Sequence, residues 1–273
     1  MTTTIKGYEQ LYWYLGMFKK QDTHMLLLGA SGTGKSESAK MVVPEAYRIK
    51  THTSPLALYA ELYFNRDQPA VIFDDVISML NQKENIAIIM SLSDSTETRE
   101  IHWHSTSKIL KQLELEQSFE TKTKALVIAN EISLLEKKIK PIFDRMWVVS
   151  FEPAVSEVMN KIREISSSIN NGLNEQQKNE IIDLIETYSK AGNATLRTFV
   201  KGIALYKECK GKDWEEKLLA EMQVEPKMQQ IGQLIERFGD EKTRLEIWQH
   251  KVGSRRDYYR WKGKFLTKCQ SAT

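Results

Sequence analysis

The chain has 273 residues, enough for two or three domains with cores of their own, and its 41% hydrophobic and 27% charged content is that of an ordinary globular protein. No apolar run reaches the roughly 18 residues of a membrane span, MTTTIKGYEQ lacks the apolar stretch of a secretory signal, and Cys209 and Cys269 stand too far apart for a C-x-x-C site. A cytoplasmic protein without disulfides, thiolate metal or membrane contact is the expectation. The net charge of +3 is uneven: residues 241–273 hold nine Lys/Arg against three Asp/Glu, a net +6, leaving 30 against 33, a net −3, for the rest.

Taken in order, residues 7–20 carry apolar side chains at helical spacing (Tyr8, Leu11, Tyr12, Leu15, Phe18) and predict a short helix under a sheet. Met25 to Leu28 form an apolar run that ends at Gly29. The segment Gly29, Ala30, Ser31, Gly32, Thr33, Gly34, Lys35, Ser36 then fits G-x-x-x-x-G-K-[ST] without a mismatch. Glycines let the backbone wrap a phosphate, so that loop amides and the start of the following helix meet negative charge. In that pattern Lys35 reaches the outer phosphates and the Ser36 hydroxyl ligates Mg²⁺, with Glu37 on the first turn behind them. A glycine-rich turn with a chance lysine is the alternative. The strand before the loop and the helix formers after it decide for a nucleotide, and the 7–20 helix then falls near the base.

The helix opened by Lys35 runs to about Val43, an extended stretch covers Arg48 to Thr53, and Ser54 with Pro55 starts a helix through Phe64. Residues 69–75, PAVIFDD, read as a buried parallel strand delivering carboxylates to its C-terminal edge, where open α/β sheets place ligands. Asp74 would hold the magnesium shell and Asp75 would orient or deprotonate the attacking water. A helix is expected over 82–93. Thr98 to Ser105 alternates like a strand, with Ser118 to Thr123 as partner and KILKQLELEQ between them as a short helix or a hairpin tip. His102 and His104 share a strand face, but with no third ligand in view a surface or stacking role is preferred to a metal. Residues 124–130, KALVIAN, form another buried strand, ending in Asn130. Ile142 to Arg145 lead into a strand, MWVVSFEP, and helical segments follow at 155–169, 174–189 and 195–209, the last containing Arg197.

This order of pieces resembles the AAA+ superfamily of ATPases over roughly residues 5–210. The resemblance implies a parallel P-loop sheet with a helical lid, binding ATP and Mg²⁺. Gly29 to Ser36 match Walker A, and Asp74 and Asp75 match Walker B. Asn130 matches sensor 1, which positions the water. Arg145, in AN-EISLLEKKIKPIFDR, looks like the arginine finger given to a neighbouring subunit, as in the clamp-loader branch, and Arg197 looks like sensor 2. Phosphoryl transfer depends on positioning and charge neutralisation, and a trans arginine is worth about a thousandfold or more in rate. One departure is the pair Asp74-Asp75 where such ATPases usually carry Asp-Glu. Asp-Asp also occurs in superfamily-three helicases of small DNA viruses, which carry a DNA-gripping hairpin between these strands. Here residues 98–123, with His102, Trp103, His104, Lys108 and Lys111, take that place. The layout of 70–150 is also similar to compact ATPases of phages and other mobile elements.

In the basic C-terminal segment, Pro226 opens a helix (Met228, Ile231, Leu234, Ile235, Phe238), Asp240 caps a second, and Val252-Gly253 turns into a third that begins at Ser254-Arg-Arg-Asp257. Tyr258, Trp261 and Phe265 face inward, leaving Arg255, Arg256, Tyr259, Arg260, Lys262 and Lys264 as the candidate DNA contacts. The arrangement resembles a helix-turn-helix, whose last helix meets base edges while flanking cations meet phosphates; a helical cap with a solvated basic face is the alternative. The expected domains are 1–152 (nucleotide-binding core), 153–212 (lid) and 222–273 (helix-turn-helix). The preferred function is a DNA-binding ATPase that assembles as a homo-oligomer on DNA, in replication initiation, helicase loading or a related step of a mobile element, with other replication or recombination proteins as further partners. The rivals are a translocating helicase and a nucleotide-gated DNA-binding regulator with little hydrolysis.

Overall fold

Strands that are apolar along their whole length are stable only in a sheet covered on both faces. Ala70 to Phe73 and Ala125 to Ala129 are such strands, no residue in them being more than 2% exposed. In the computed structural model, which describes residues 2–50, 53–74, 79–103, 112–130, 140, 142 and 144–269, they lie at the heart of the first of two compact units, Met1–Pro153. Its elements run β1 (Thr2–Ile5), α1 (Tyr8–Lys20), β2 (Met25–Leu28), α2 (Lys35–Val42), β3 (Tyr47–Lys50), α3 (Pro55–Phe64), β4 (Ala70–Asp74), α4 (Lys83–Leu92), β5 (Arg99–His102), β6 (Ser118–Thr121), β7 (Lys124–Ala129) and β8 (Trp147–Phe151).

Six of the strands form one sheet in the order β1-β8-β2-β7-β4-β3, and all five pairings are parallel. The register decides where the chemistry goes. Leu28 lies opposite Ala129, and Asp74 opposite Ile128, so β2, β4 and β7 finish at one edge and release Gly29, Asp74 and Asn130 there. Local chemistry fixes the connections. Ser54 Oγ accepts the Ala57 amide at 3.3 Å at the start of α3. Lys124 Nζ donates to the carbonyls of Phe18, Lys19 and Gln21 at 2.7, 2.9 and 2.9 Å, placing a cation at the C-terminus of α1.

Strands β5 and β6 form a separate antiparallel pair. Arg99 is 1% exposed and anchors it, donating to Asp22 Oδ1 at 2.7 Å and to the carbonyls of Asp94 and Lys122. Trp103 is half-buried, its ring 6.0 Å from that of Tyr59. His104, Lys108 and Lys111, at the tip of the expected hairpin, lie outside the described residues.

The second unit, Ala154–Thr273, is helical: α5 (Val155–Ser168), α6 (Glu175–Tyr188), α7 (Leu196–Glu208), α8 (Trp214–Glu221), α9 (Pro226–Arg237), α10 (Glu241–Lys251) and α11 (Arg255–Cys269). Asn174 with Gln177 and Thr195 with Thr198 close the starts of α6 and α7, and Asp240 accepts two amides at the start of α10. Residues set apart in the sequence as lid and as terminal module share one core: Ile162, Ile181 and Phe199 belong to the same buried cluster as Ile231, Trp248, Trp261 and Phe265. Helix α8, expected by neither segment, fills the middle with Trp214 and Leu218. Among the described residues no helix is long and apolar enough to cross a membrane.

Candidate nucleotide site

The loop after β2 is held open by glycine. Gly29, Gly32 and Gly34 have φ of +148°, +79° and +87°, values that L side chains rarely adopt. Gly29 has a second reason to lack a side chain, because a Cβ there would lie 2.3 Å from the Phe151 carbonyl oxygen. Gly34 is the N-cap of α2 in the left-handed conformation and offers no side-chain acceptor. The first-turn amides of α2 thus remain available to an anion. Thr33 Oγ1 donates to the Ala30 carbonyl at 2.9 Å and tightens the loop.

Lys35, the first residue of α2, is 5% exposed. Its Nζ donates to the carbonyls of Gly29 and Ala30 at 2.6 and 2.7 Å and to Asn130 Oδ1 at 3.2 Å. Next to it, Ser36 Oγ donates to Asp74 Oδ1 at 2.6 Å, with Asp74 8% exposed. Four of the residues singled out by the motifs therefore meet within hydrogen-bonding distance at the C-terminal edge of β2, β4 and β7. An ammonium, a hydroxyl, a carboxylate and an amide at one sheet edge suit a polyphosphate with its divalent cation. Ala30, Ser31 and Glu37 are exposed at the loop and the first turn.

The remaining expected site residues are placed differently. Asp75 lies outside the described residues. Arg145 is exposed on the turn before β8, its amide bonded to the Ile142 carbonyl at 3.1 Å. Arg197 is exposed in the first turn of α7, in the helical unit. On α11, Arg255, Arg256, Tyr259, Arg260 and Lys264 are exposed. Lys262, expected to face outward, is half-buried because the start of α10 lies beside it and Glu241 pairs with its Nζ at 2.8 Å. Asp257 accepts from Arg260 at 2.6 Å, and Lys264 Nζ sits 4.1 Å from the centre of the Trp261 ring.

Sequence reasoning missed one contributor. Tyr8 reads as an apolar position of α1, and its ring does pack edge-on against Phe151, but its hydroxyl donates to the Thr33 carbonyl at 2.9 Å. The start of α1 thus pins the glycine loop after β2. A tyrosine in place of phenylalanine at that position was the only signal available.

No protein-family model matches the chain. It is 25% identical over 114 residues to an uncharacterised 36.7 kDa protein of the nrdC–mobD intergenic region of phage T4. That match spans 39% of this chain and 35% of the phage protein. Among solved structures it is similar to NtrX of Brucella abortus in complex with ATP, with TM-score 0.53, 14% identity, and 94% of this chain and 67% of that one covered. It is also similar to the T158V form of RuvB of Thermotoga maritima, with TM-score 0.51, 14% identity and 95% and 85% covered. The Holliday junction branch migration motor RuvB of the same organism gives TM-score 0.51, 13% identity and 94% and 86% covered. With a parallel sheet, a phosphate-type loop after β2 and a helical C-terminal region, the chain has the fold of the AAA+ P-loop ATPases.

Proposed function

We propose that this protein is an ATP-hydrolysing AAA+ enzyme that works on DNA as a homo-oligomer. The observation that carries the reading is the meeting of Lys35, Asn130, Ser36 and Asp74 at one sheet edge. Lys35 exchanges its loop carbonyls for the outer phosphates of ATP, and Asn130, bonded to that ammonium in the structure, holds the attacking water. Ser36 and Asp74 are the residues that would hold Mg²⁺, which when bound neutralises charge on the phosphates. Asp75, next along the chain, orients or deprotonates the water, whose attack on the γ-phosphorus releases ADP. Arg145, exposed at its turn, serves a neighbour's nucleotide, and Arg197 reports the γ-phosphate to the helical unit. The likeness to NtrX bound to ATP supports the nucleotide, and the likeness to a branch migration motor supports DNA. The exposed cations of α11 are the proposed DNA contacts, within a helix-turn-helix formed by the last three helices. The setting proposed is replication initiation, helicase loading or a related transaction of a mobile element, and the likeness to a phage T4 protein supports the mobile element alone.

The test is ATPase rate per subunit against protein concentration, with and without duplex DNA. The rate should rise with concentration and with DNA, and Arg145→Ala should lower it about a thousandfold or more while leaving nucleotide binding in place. A rate indifferent to dilution, to DNA and to Arg145→Ala would overturn the proposal. Lys35→Ala should remove the nucleotide response altogether.

A further inference from the structure

The helical unit contains a groove of about 1010 Å³ between α6, α8, α9 and α11. Tyr188, Trp214 and Phe265, each no more than 5% exposed, line its floor, and Asp183, Glu215 and Glu236 line its rim. Among the described residues none of those three carboxylates makes an ion pair. Partial desolvation, and then the neighbouring Glu236 carboxylate, push Glu215 above the usual carboxylate range. Gly232 opens the wall: a Cβ there would lie 2.0 Å from the Tyr188 hydroxyl. The Tyr188 side chain is itself more than nine-tenths buried. Glu186, also on the groove, is paired with Arg163, but an apolar floor beneath three carboxylates without an ion pair calls for a cationic, amphipathic occupant.

The same unit exposes a surface of that kind. On the outer side of α11, Arg256, Arg260 and Lys264 stand beside two exposed apolar side chains seven residues apart, Tyr259 (44% exposed) and Leu266 (38%). This face cannot fill its own groove, because α11 already gives the groove Phe265 and Cys269 from its opposite side. We propose that the groove receives the outer face of α11 from a second copy of this chain. One copy offers its groove while its α11 engages another, so the contact is head-to-tail and builds rings or open chains. The inference does not depend on the nucleotide site. It shares the α11 face with the proposed DNA contact, so duplex and neighbour compete for it.

Sedimentation of the full chain without nucleotide or DNA, over a concentration series at low and high salt, tests the idea. Wild type should associate with rising concentration and dissociate in salt. Glu215→Lys with Glu236→Lys should weaken association about tenfold, as should Arg256→Glu with Arg260→Glu, from two reversed ion pairs. All four substitutions together should restore it, a rescue that mere damage to the fold does not give, with circular dichroism confirming helix content. A wild type that stays monomeric, groove variants that associate normally, or a fourfold variant that remains apart would each overturn the proposal. Duplex affinity of the groove variant reports separately on the DNA reading, since that variant keeps every α11 cation.

Discussion

His24 leads into β2, 4% exposed, with Nδ1 accepting the Ala125 amide at 3.0 Å. Burial first, and then the Arg99 guanidinium, lowers its pKa from 6.5 to about 4, against the opposing pull of Asp22 and the Asp94 backbone. The folded pKa lies below the unfolded one, so between those values the unfolded chain binds the extra proton. Stability from this group is therefore complete above about pH 6.5 and is lost as pH falls towards 4. Two and a half pH units of difference amount to about 3 kcal/mol in all, and about 2 kcal/mol of it disappears between pH 7 and pH 5. His24→Asn keeps a polar acceptor in reach of the Ala125 amide but cannot titrate. Urea unfolding of both proteins at the two pH values should show wild type losing about 2 kcal/mol more than the variant. An identical pH loss in the two proteins, or an imidazole that titrates near 6.5 by NMR, would refute the reasoning.

Two further substitutions probe backbone approach. Gly29→Ala sets a Cβ against the Phe151 carbonyl at a left-handed φ, while β8 is held between β1 and β2 and cannot retreat. A cost of about 3 kcal/mol is expected, together with ATP-analogue binding weakened at least about tenfold by calorimetry; unchanged affinity would contradict the geometry. Gly232→Ala gains about 1 kcal/mol of helix propensity, but its Cβ meets the Tyr188 hydroxyl and Phe265 at 2.0 and 2.8 Å. Overpacking of about 1–3 kcal/mol should leave the variant less stable in thermal unfolding, and a rise in melting temperature would count against that packing.

The legible parts of the molecule were those with a short-range cause. The phosphate loop, the strands ending in Asp74 and Asn130, and the α3 cap at Ser54-Pro55 each combine a continuous apolar run or a capping residue with a sharp boundary. Strand β1 was not legible, since Thr2 to Thr4 are exposed and only Ile5 is buried; it exists because it pairs with β8, from Thr2 opposite Val148 to Ile5 opposite Phe151. Helix α8 was missed because eight residues carry little periodicity, and Trp214 and Leu218 owe their burial to helices on either side of them in the chain. At the site, the sequence singled out Lys35, Ser36, Asp74 and Asn130, which the structure brings together, but not all of their bonding partners. That Lys35 would lean on Gly29 and Ala30, or that Tyr8 would steady Thr33, depends on register between segments distant in sequence.

The bonds of Lys35 and Ser36 bear on how a ligand arrives. Three oxygens already surround the Lys35 ammonium, and the Ser36 hydroxyl is spoken for by Asp74. A newcomer substitutes one set of acceptors for another rather than gathering loose groups from solvent, so little ordering entropy is lost on capture. Because the two residues are consecutive on α2, both exchanges fall within a single helical turn, and tightening of that turn is the first movement a nucleotide would impose.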